Sequence, residues 1–537
     1  MHTRTVRFLH FTDWFNRKIL VLKGARMLQI KNLTLTHKKD LRIIIEKLNL
    51  VLNHGDKAVI IGEEGNGKSS IIKWIYDQEL IDDYMECKGE KVLNAEKIAY
   101  LPQELPQKEA EKTVYEYFSE KEAFWDSNPK ELGALAASFG LEMDFYYLEQ
   151  KMNTLSGGEK VKAQLLRLLL DGPTVLLLDE PSNDIDIETL EYLEKLINGF
   201  EGIVLYVSHD ETLIEKTANM IVHIEQLSRK TKSRYTVSRL TYTEYMEDRR
   251  KNFEKQLQQS VNDEKEKKRR DEKYMKIYQS VERAMASVSR QAPSEAKNLK
   301  DKMHSVKAMS KRYEKMDENI TKRPEQEAAI YFKLGNEKSK MPAGKVVIDI
   351  EKEKLSIGEK VLSENIKLYV RGPEKICIIG KNGAGKTTLL KNIAEMLLNR
   401  TDLRVEYMPQ NYEEKLNLEM TPVDYLDKSG DKEERTRIKT YLGALKYTTE
   451  EMEHPIKELS GGQKAKVFLL KVSMSDANVL ILDEPTRNFS PLSGPVIRKV
   501  LKEYPGTIIS ISHDRKYIEE VCDKIYRLEK NGLSEIS

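Results

Sequence analysis

Two short runs carry the residue types that hold a nucleoside triphosphate. GEEGNGKS spans Gly62 to Ser69, GKNGAGKT spans Gly380 to Thr387, and both fit G-x-x-x-x-G-K-[ST]. In such a loop the glycines let backbone amides close around phosphate oxygens at a helix N-terminus. Lys68 or Lys386 then reaches the β- and γ-oxygens, and the hydroxyl of Ser69 or Thr387 holds magnesium. Each loop follows an apolar run, KAVII or KICII, and precedes a helix-like segment, the strand–loop–helix context that this chemistry needs.

Four further motifs follow both loops in the same order. They are YLPQ ending at Gln103 and YMPQ ending at Gln410; LSGGE from Leu155 and LSGGQ from Leu459; VLLLDEP from Val175 and VLILDEP from Val479; and VSHD and ISHD, which contain His209 and His513. From the serine of LSGG to the second acidic residue of the DEP motif is 24 residues in each copy (156 to 180, 460 to 484), and from there to the histidine is 29 (180 to 209, 484 to 513). A spacing kept so closely marks duplication of a whole domain, with a period too long for a solenoid.

In content and order these motifs resemble the ATP-binding cassette (ABC) family over nearly all of residues 27–227 and 346–537. The resemblance implies an α/β chain with two tandem P-loop ATPase domains, ATP as substrate and Mg2+ as cofactor. Asp179 and Asp483 would end buried strands beside the magnesium-bound phosphate, joined there by Ser69 and Gln103 or by Thr387 and Gln410. Glu180 and Glu484 would orient and deprotonate the attacking water, with His209 and His513 as the polar groups that sense the γ-phosphate. ATP would lie sandwiched between the halves. Gly62, Glu63, Glu64, Gly65, Asn66, Gly67, Lys68, Ser69 and Ser70 would face Ser460, Gly461 and Gly462, while Gly380, Lys381, Asn382, Gly383, Ala384, Gly385, Lys386, Thr387 and Thr388 would face Ser156, Gly157 and Gly158. Both sites read as hydrolytically complete. They differ after DEP: SNDIDI keeps Asp184 and Asp186, whereas TRNFSPLS puts Ser490 where the family usually has an acid. For stacking on adenine each half offers only a weak candidate, His37 or Ile357.

A chain of 537 residues exceeds what one core sustains, and the expected division is an extension over 1–26, a first ABC domain over 27–240, a linker over 241–345 and a second ABC domain over 346–537. Met27 is the expected natural start. The balance of 89 Lys and Arg against 87 Asp and Glu leaves +2, so any nucleic-acid contact must come from a local patch. Three scattered cysteines fit neither a disulfide framework nor a zinc site, which points to a reduced, cytoplasmic setting. No apolar run approaches the ~18 residues that span a bilayer.

Between the cassettes, residues 242–322 contain no glycine. Tyr274, Tyr278, Val281, Met285 and Val288 form one apolar stripe, and Leu299, Met303, Val306, Met309, Tyr313 and Met316 form another. The spacing predicts two antiparallel helices, turning near 287–297 at Pro293 with Ser294 as N-cap. The second helix, Ser294 to Lys322, would be about 45 Å long. From Val281 to Arg312 eight basic residues (Arg283, Arg290, Lys297, Lys300, Lys302, Lys307, Lys311 and Arg312) stand against three acidic ones, a local +5 suited to phosphate. EKEKKRR at 264–270 offers a second basic block.

Twin cassettes joined by a long charged hairpin resemble the ABC-F family. That resemblance implies a monomer whose halves pair with each other, and which binds the ribosome at the tRNA exit site with its hairpin near rRNA and tRNA. DEPTRNFSPLSGP is similar to the resistance branch of the Vga and Lsa type, which is associated with lincosamides, streptogramin A and pleuromutilins. The tip, SVSRQAPSEAKN, is short, polar and free of aromatics, which favours rearrangement of RNA around a drug over direct displacement. Two other readings use the same cassettes: a housekeeping factor acting on stalled or idle ribosomes, and the cytosolic ATPase of an exporter.

Overall fold

Alternation in MLQIKNLTLTH turns every second side chain inward over much of the run, and it forms β1 (Met27–His37), antiparallel to β2 (Ile43–Asn53). KAVII has no polar face. It is buried throughout as β3 (Lys57–Ile61), the central strand that delivers the first phosphate loop to helix α1 (Lys68–Tyr76). The computed structural model describes residues 27–94, 96–227, 230–287, 293–324, 334–358 and 360–536. The expected 1–26 extension lies outside these residues.

In the first cassette β4 (Met85–Leu93) completes the sheet β2-β1-β4. The strands β5 (Ile98–Leu101), β6 (Val175–Asp179), β7 (Ile203–Val207), β8 (Met220–Leu227) and β9 (Lys232–Ser238) build a six-stranded sheet in the order β5-β6-β7-β3-β8-β9, parallel except for β9. Helices α2 (Gly157–Leu170), α3 (Ile187–Gly199) and α4 (Glu211–Thr217) connect them. Ile60, Ile71, Trp74, Leu177 and Leu205 form the centre of the core under the phosphate loop.

The second unit of the chain, Thr243–Gln326, is helical. It comprises α5 (Tyr242–Ser287), whose first residue belongs to the cassette unit, and α6 (Pro293–Asp317). The helix α6 begins at Pro293, so Ser294 lies within its first turn instead of capping it, and it ends before Lys322, giving about 37 Å. Past Asp317 the chain closes only local turns, Asn319 to Met316 and Ile320 to Asp317, and then leaves the helical path where the Thr321 amide donates to Asp263 at 2.9 Å and the Arg323 side chain forks onto Glu264 at 2.8 Å. Val306 is buried, Tyr274, Tyr278, Val281, Leu299, Met303, Met309 and Tyr313 are half-buried, and Met285 and Met316 are exposed, so the seam thins towards its ends. Val288 lies outside the described residues.

The second cassette repeats the plan. It contains β10 (Val346–Ile357), β11 (Lys360–Arg371), β12 (Lys375–Ile379), α7 (Lys386–Leu398), β13 (Val405–Met408), α8 (Gly461–Ser473), β14 (Val479–Asp483), α9 (Gly494–Lys502), β15 (Thr507–Ile511), α10 (Arg515–Val521), β16 (Lys524–Glu529) and β17 (Gly532–Ile536). Its main sheet runs β13-β14-β15-β12-β16-β17. Leu334 and Met341 pack into this cassette's cores, so its packing starts ahead of the boundary expected at 346.

Candidate nucleotide-binding sites

Each phosphate loop closes on a glycine that only a residue without Cβ holds easily. Gly67 (φ +81°) and Gly385 (φ +94°) sit left-handed immediately before α1 and α7, aiming the first free amides of each helix into the loop. The Lys68 ammonium donates to the carbonyls of Gly62 at 2.9 Å and Glu63 at 3.1 Å, and Lys386 does the same to Gly380 at 2.8 Å and Lys381 at 3.0 Å. Ser70 and Thr388 occupy the first turns of the two helices.

At the end of β6 the carboxylate of Asp179 accepts from the Ser69 hydroxyl at 2.7 Å. At the end of β14, Asp483 carries a buried Oδ2 with no hydrogen-bond partner, and burial pushes its carboxyl up to about 6 despite the Thr387 hydroxyl and Lys386. One hydroxyl and one buried carboxylate per site suit a hard divalent cation whose other ligands are phosphate and water. Among the described residues no cluster of three His, Cys, Asp or Glu side chains could hold a metal without them.

Glu180 and Glu484 follow directly, and both adopt a left-handed backbone rare for a non-glycine residue, φ +50° and +52°. Their amides donate to Val207 at 3.0 Å and Ile511 at 2.9 Å, which fixes the turn and projects each carboxylate from the strand end. Glu180 accepts from the His209 amide at 3.2 Å, and the ring Nε2 lies 3.0 Å from its other oxygen. In the second copy the amide distance is again 3.2 Å but the ring stands 3.7 Å away. Burial works to raise Glu180, but His209 and Lys68 outweigh it and hold the carboxyl below its usual range. Burial and the neighbouring Asp483 push Glu484 up to about 8, while burial and Lys386 bring His513 down to about 4.

Both cassettes belong to one contact unit, and each phosphate loop faces the other half's signature. Lys386, Thr387, Asp483, Glu484 and His513 line a cavity of 890 Å3 with Ser156, Gly157 and Glu159 of the first cassette; Gln410 and Ile357 also border it. Asn382 donates to the Asp184 carbonyl at 2.6 Å, Gln410 reaches the Asp184 carboxylate at 3.4 Å, Arg487 pairs with it at 2.7 Å, and Lys381 pairs with Glu188 at 2.9 Å.

Around Lys68 the polarity is reversed. Glu63 is half-buried against Lys466 at 2.9 Å and accepts from the hydroxyls of Ser490 and Ser493, at 2.7 Å from the latter. Burial opposes ionisation there, but Lys466 and the two serines bring Glu63 down to about 2. Glu64 accepts from the Gly462 amide at 2.5 Å, near the N-terminus of α8. The expectation that Glu63 and Glu64 serve the phosphates therefore needs correction for their side chains, which engage the opposite cassette. The serine at 490 now has a physical reason: its hydroxyl donates to Glu63, where a carboxylate would repel it.

Gln103 is exposed on the loop after β5, and His37 pairs with Asp40 at 2.9 Å. Arg283, Lys297, Lys300, Lys302, Lys307, Lys311 and Arg312 are exposed on the hairpin, while Arg290 lies outside the described residues. In the EKEKKRR block Lys267 and Arg270 each pair with Asp317 at 2.9 Å, so part of that charge is already matched. Sequence reasoning missed Lys381, Glu188 and Arg487 as contacts between the halves. Only Lys381 carried a signal, the opposite sign of Glu63 at the equivalent loop position.

The sequence profile of the ABC transporter family matches residues 45–183 and 363–487. The chain is 30% identical over 410 residues to the putative ATP-binding protein YdiF of Bacillus subtilis, an alignment covering 74% of this chain and 58% of that protein. It is 28% identical over 511 residues to the ribosome protection protein VmlR of Bacillus subtilis, covering 91% and 85%. Among solved structures, archaeal ribosome recycling factor aABCE1, in complex with ribosomal stalk protein aP1, shares the fold with a TM-score of 0.58 at 18% identity, covering 94% of this chain and 90% of that one. Two ABC domains in tandem, each with its phosphate loop, strand-end acids and signature helix, make this chain an ATPase.

Proposed function

We propose that the chain uses ATP-driven closure of its cassettes to act on the ribosome in the cytoplasm, binding near the tRNA exit site and protecting the peptidyl-transferase centre from lincosamides, streptogramin A and pleuromutilins. The observation that carries this reading is the hairpin, where six exposed bases, Lys297, Lys300, Lys302, Lys307, Lys311 and Arg312, lie along one helix. Such a run matches the phosphate backbone of RNA. The similarity to a protein named for ribosome protection supports the same direction.

In the cassettes, Lys68 and Lys386 hold the β- and γ-phosphates, and the signature serines Ser156 and Ser460 meet the same nucleotides from the opposite half. Glu180 and Glu484 orient water and take its proton, and His209 and His513 hold those carboxylates in place. Ser69 with Asp179, and Thr387 with Asp483, would hold magnesium, which would supply charge neutralisation for the phosphoryl group. The proposed coupling runs from closure around two nucleotides to the hairpin and from there to rRNA and tRNA.

A housekeeping role on stalled or idle ribosomes is the second reading, and the short polar tip favours it. Among the described residues no helix is long and apolar enough to cross a membrane, and the exporter reading leaves the basic hairpin without a role. Expression in a drug-sensitive bacterium separates these readings. Protection predicts raised inhibitory concentrations for the three drug classes, and unchanged values across all of them would leave the housekeeping role. Lys297→Gln, Lys300→Gln and Lys302→Gln together are expected to keep ATP hydrolysis while lowering the salt dependence of ribosome binding (log Kd against log salt) by about 2 to 3.

A further inference from the structure

Beside the nucleotide sites the cassettes meet along a second, fully protein-made seam. Arg498 on α9 is buried and forks onto Glu211 of α4, at 2.7 and 3.2 Å. Arg515 at the start of α10 forms an ion pair with Glu194 of α3. These two contacts are the same contact made twice. From the signature serine to the end of this region the two halves keep one offset of 304 residues: 460 − 156, 484 − 180 and 513 − 209 all give it, and so do 498 − 194 and 515 − 211. Position 194/498 of each half therefore meets position 211/515 of the other, as expected across a pseudo-two-fold axis.

Symmetry of position is combined with inversion of charge. The first half carries Glu194 and Glu211, and the second carries Arg498 and Arg515. A third equivalent pair, 216 and 520, is inverted in the opposite sense and neutralises each cluster from within its own half: Lys216 pairs with Glu194 at 3.1 Å, and Glu520 with Arg498 at 2.8 Å. The remaining charges here are Asp210, 3.7 Å from Arg515, its counterpart Asp514, and Lys516, which pairs with Glu215 and lies 3.5 Å from Glu211. At the phosphate loops the equivalent residues Glu63 and Lys381 are also opposite in sign, but their partners Lys466 and Glu188 are not equivalent positions.

We propose that these inverted clusters form a pairing code on the cassette interface, which admits only the complementary half. Two first halves brought together would set Glu194 against Glu211 twice, and two second halves would set arginine against arginine twice. Only first against second is neutral. Like charges facing one another at a desolvated contact suppress the wrong partner. The interdomain linker raises the local concentration of the right one. The partner recognised is thus the second cassette of the same chain, and the surface excludes like halves of a second copy.

The test uses full-length chains. Chain X carries Arg498→Glu, Arg515→Glu and Glu520→Lys, so both halves read Glu, Glu, Lys; chain Y carries Glu194→Arg, Glu211→Arg and Lys216→Glu, so both read Arg, Arg, Glu. Each change keeps the ion pair inside its half and turns only the contacts between halves repulsive. X and Y alone are expected to lose at least about tenfold in ATP hydrolysis and to show the halves apart by fluorescence transfer. Mixed, they are expected to form an X–Y dimer by sedimentation and to recover hydrolysis. The chain with all six substitutions restores both Arg–Glu contacts, with Asp210 and Lys516 left beside like charges, and should recover most of the hydrolysis lost in X and Y. If X and Y each close and hydrolyse as the parent does, or if the six-fold exchange stays as inactive as the triples, the code is wrong.

Discussion

Exchange of both Glu180 and Glu484 for glutamine is expected to lower kcat for ATP hydrolysis at least about 100-fold while ATP binding persists, the loss ordinarily seen when a positioned general base is removed. Glutamine keeps the shape of the side chain and its oxygen can still accept the histidine amide that now lies 3.2 Å from each carboxylate. The left-handed turns, at φ +50° and +52°, are set by the backbone hydrogen bonds to Val207 and Ile511, so the geometry survives and only the proton acceptor is lost. Phosphate release and equilibrium binding of ATP, measured on the same preparation, check both halves of the expectation. A variant that still turned over at a tenth of the parent rate would place the base elsewhere.

Replacing Glu64 by asparagine, the residue type at the equivalent position of the second loop, is expected to tighten ATP binding at the Lys68 site by about tenfold. The carboxylate now takes the Gly462 amide at 2.5 Å, where a phosphate from the facing nucleotide would otherwise accept, and it brings a negative charge next to a triphosphate. Asparagine removes the charge and frees the amide. In the other site Asn382 instead turns to the Asp184 carbonyl, at 2.6 Å, and leaves its signature open. A two-site isotherm with a non-hydrolysable ATP analogue would show the weaker site approaching the stronger. An unchanged isotherm would mean that Glu64 yields to nucleotide without cost.

The catalytic elements were legible because their residue types are dictated locally. A loop that wraps phosphate needs Gly67 and Gly385 before a helix, and a strand buried on both faces needs the uninterrupted VLLLD and VLILD. The two hairpin helices could be read from a glycine-free, striped segment for the same reason. Where reading failed, long-range contacts decided the outcome. Ser294 is a good N-cap type, but the helix already starts at Pro293; the second helix does not run on to Lys322, where Asp263 and Glu264, more than fifty residues earlier, hold Thr321 and Arg323. Glu63 and Glu64 lie in a phosphate loop by sequence, yet their side chains answer to Lys466, Ser490, Ser493 and Gly462 some four hundred residues away. The inverted charges at 194/498, 211/515 and 216/520 were present in the sequence all along; only the contact between the halves shows that they meet.

The measurement that bears most directly on the central claim, ATP-driven action on the ribosome, is sedimentation of the Glu180→Gln, Glu484→Gln chain through a sucrose gradient with ribosomes, with and without ATP. If nucleotide closes the cassettes and closure engages the hairpin with RNA, the chain that binds but does not hydrolyse ATP travels with the ribosomes in ATP, remains at the top of the gradient without it, and slows growth when expressed. A chain that binds ATP normally yet stays at the top in both gradients would contradict the ribosomal account and leave a twin-cassette ATPase whose hairpin serves another partner.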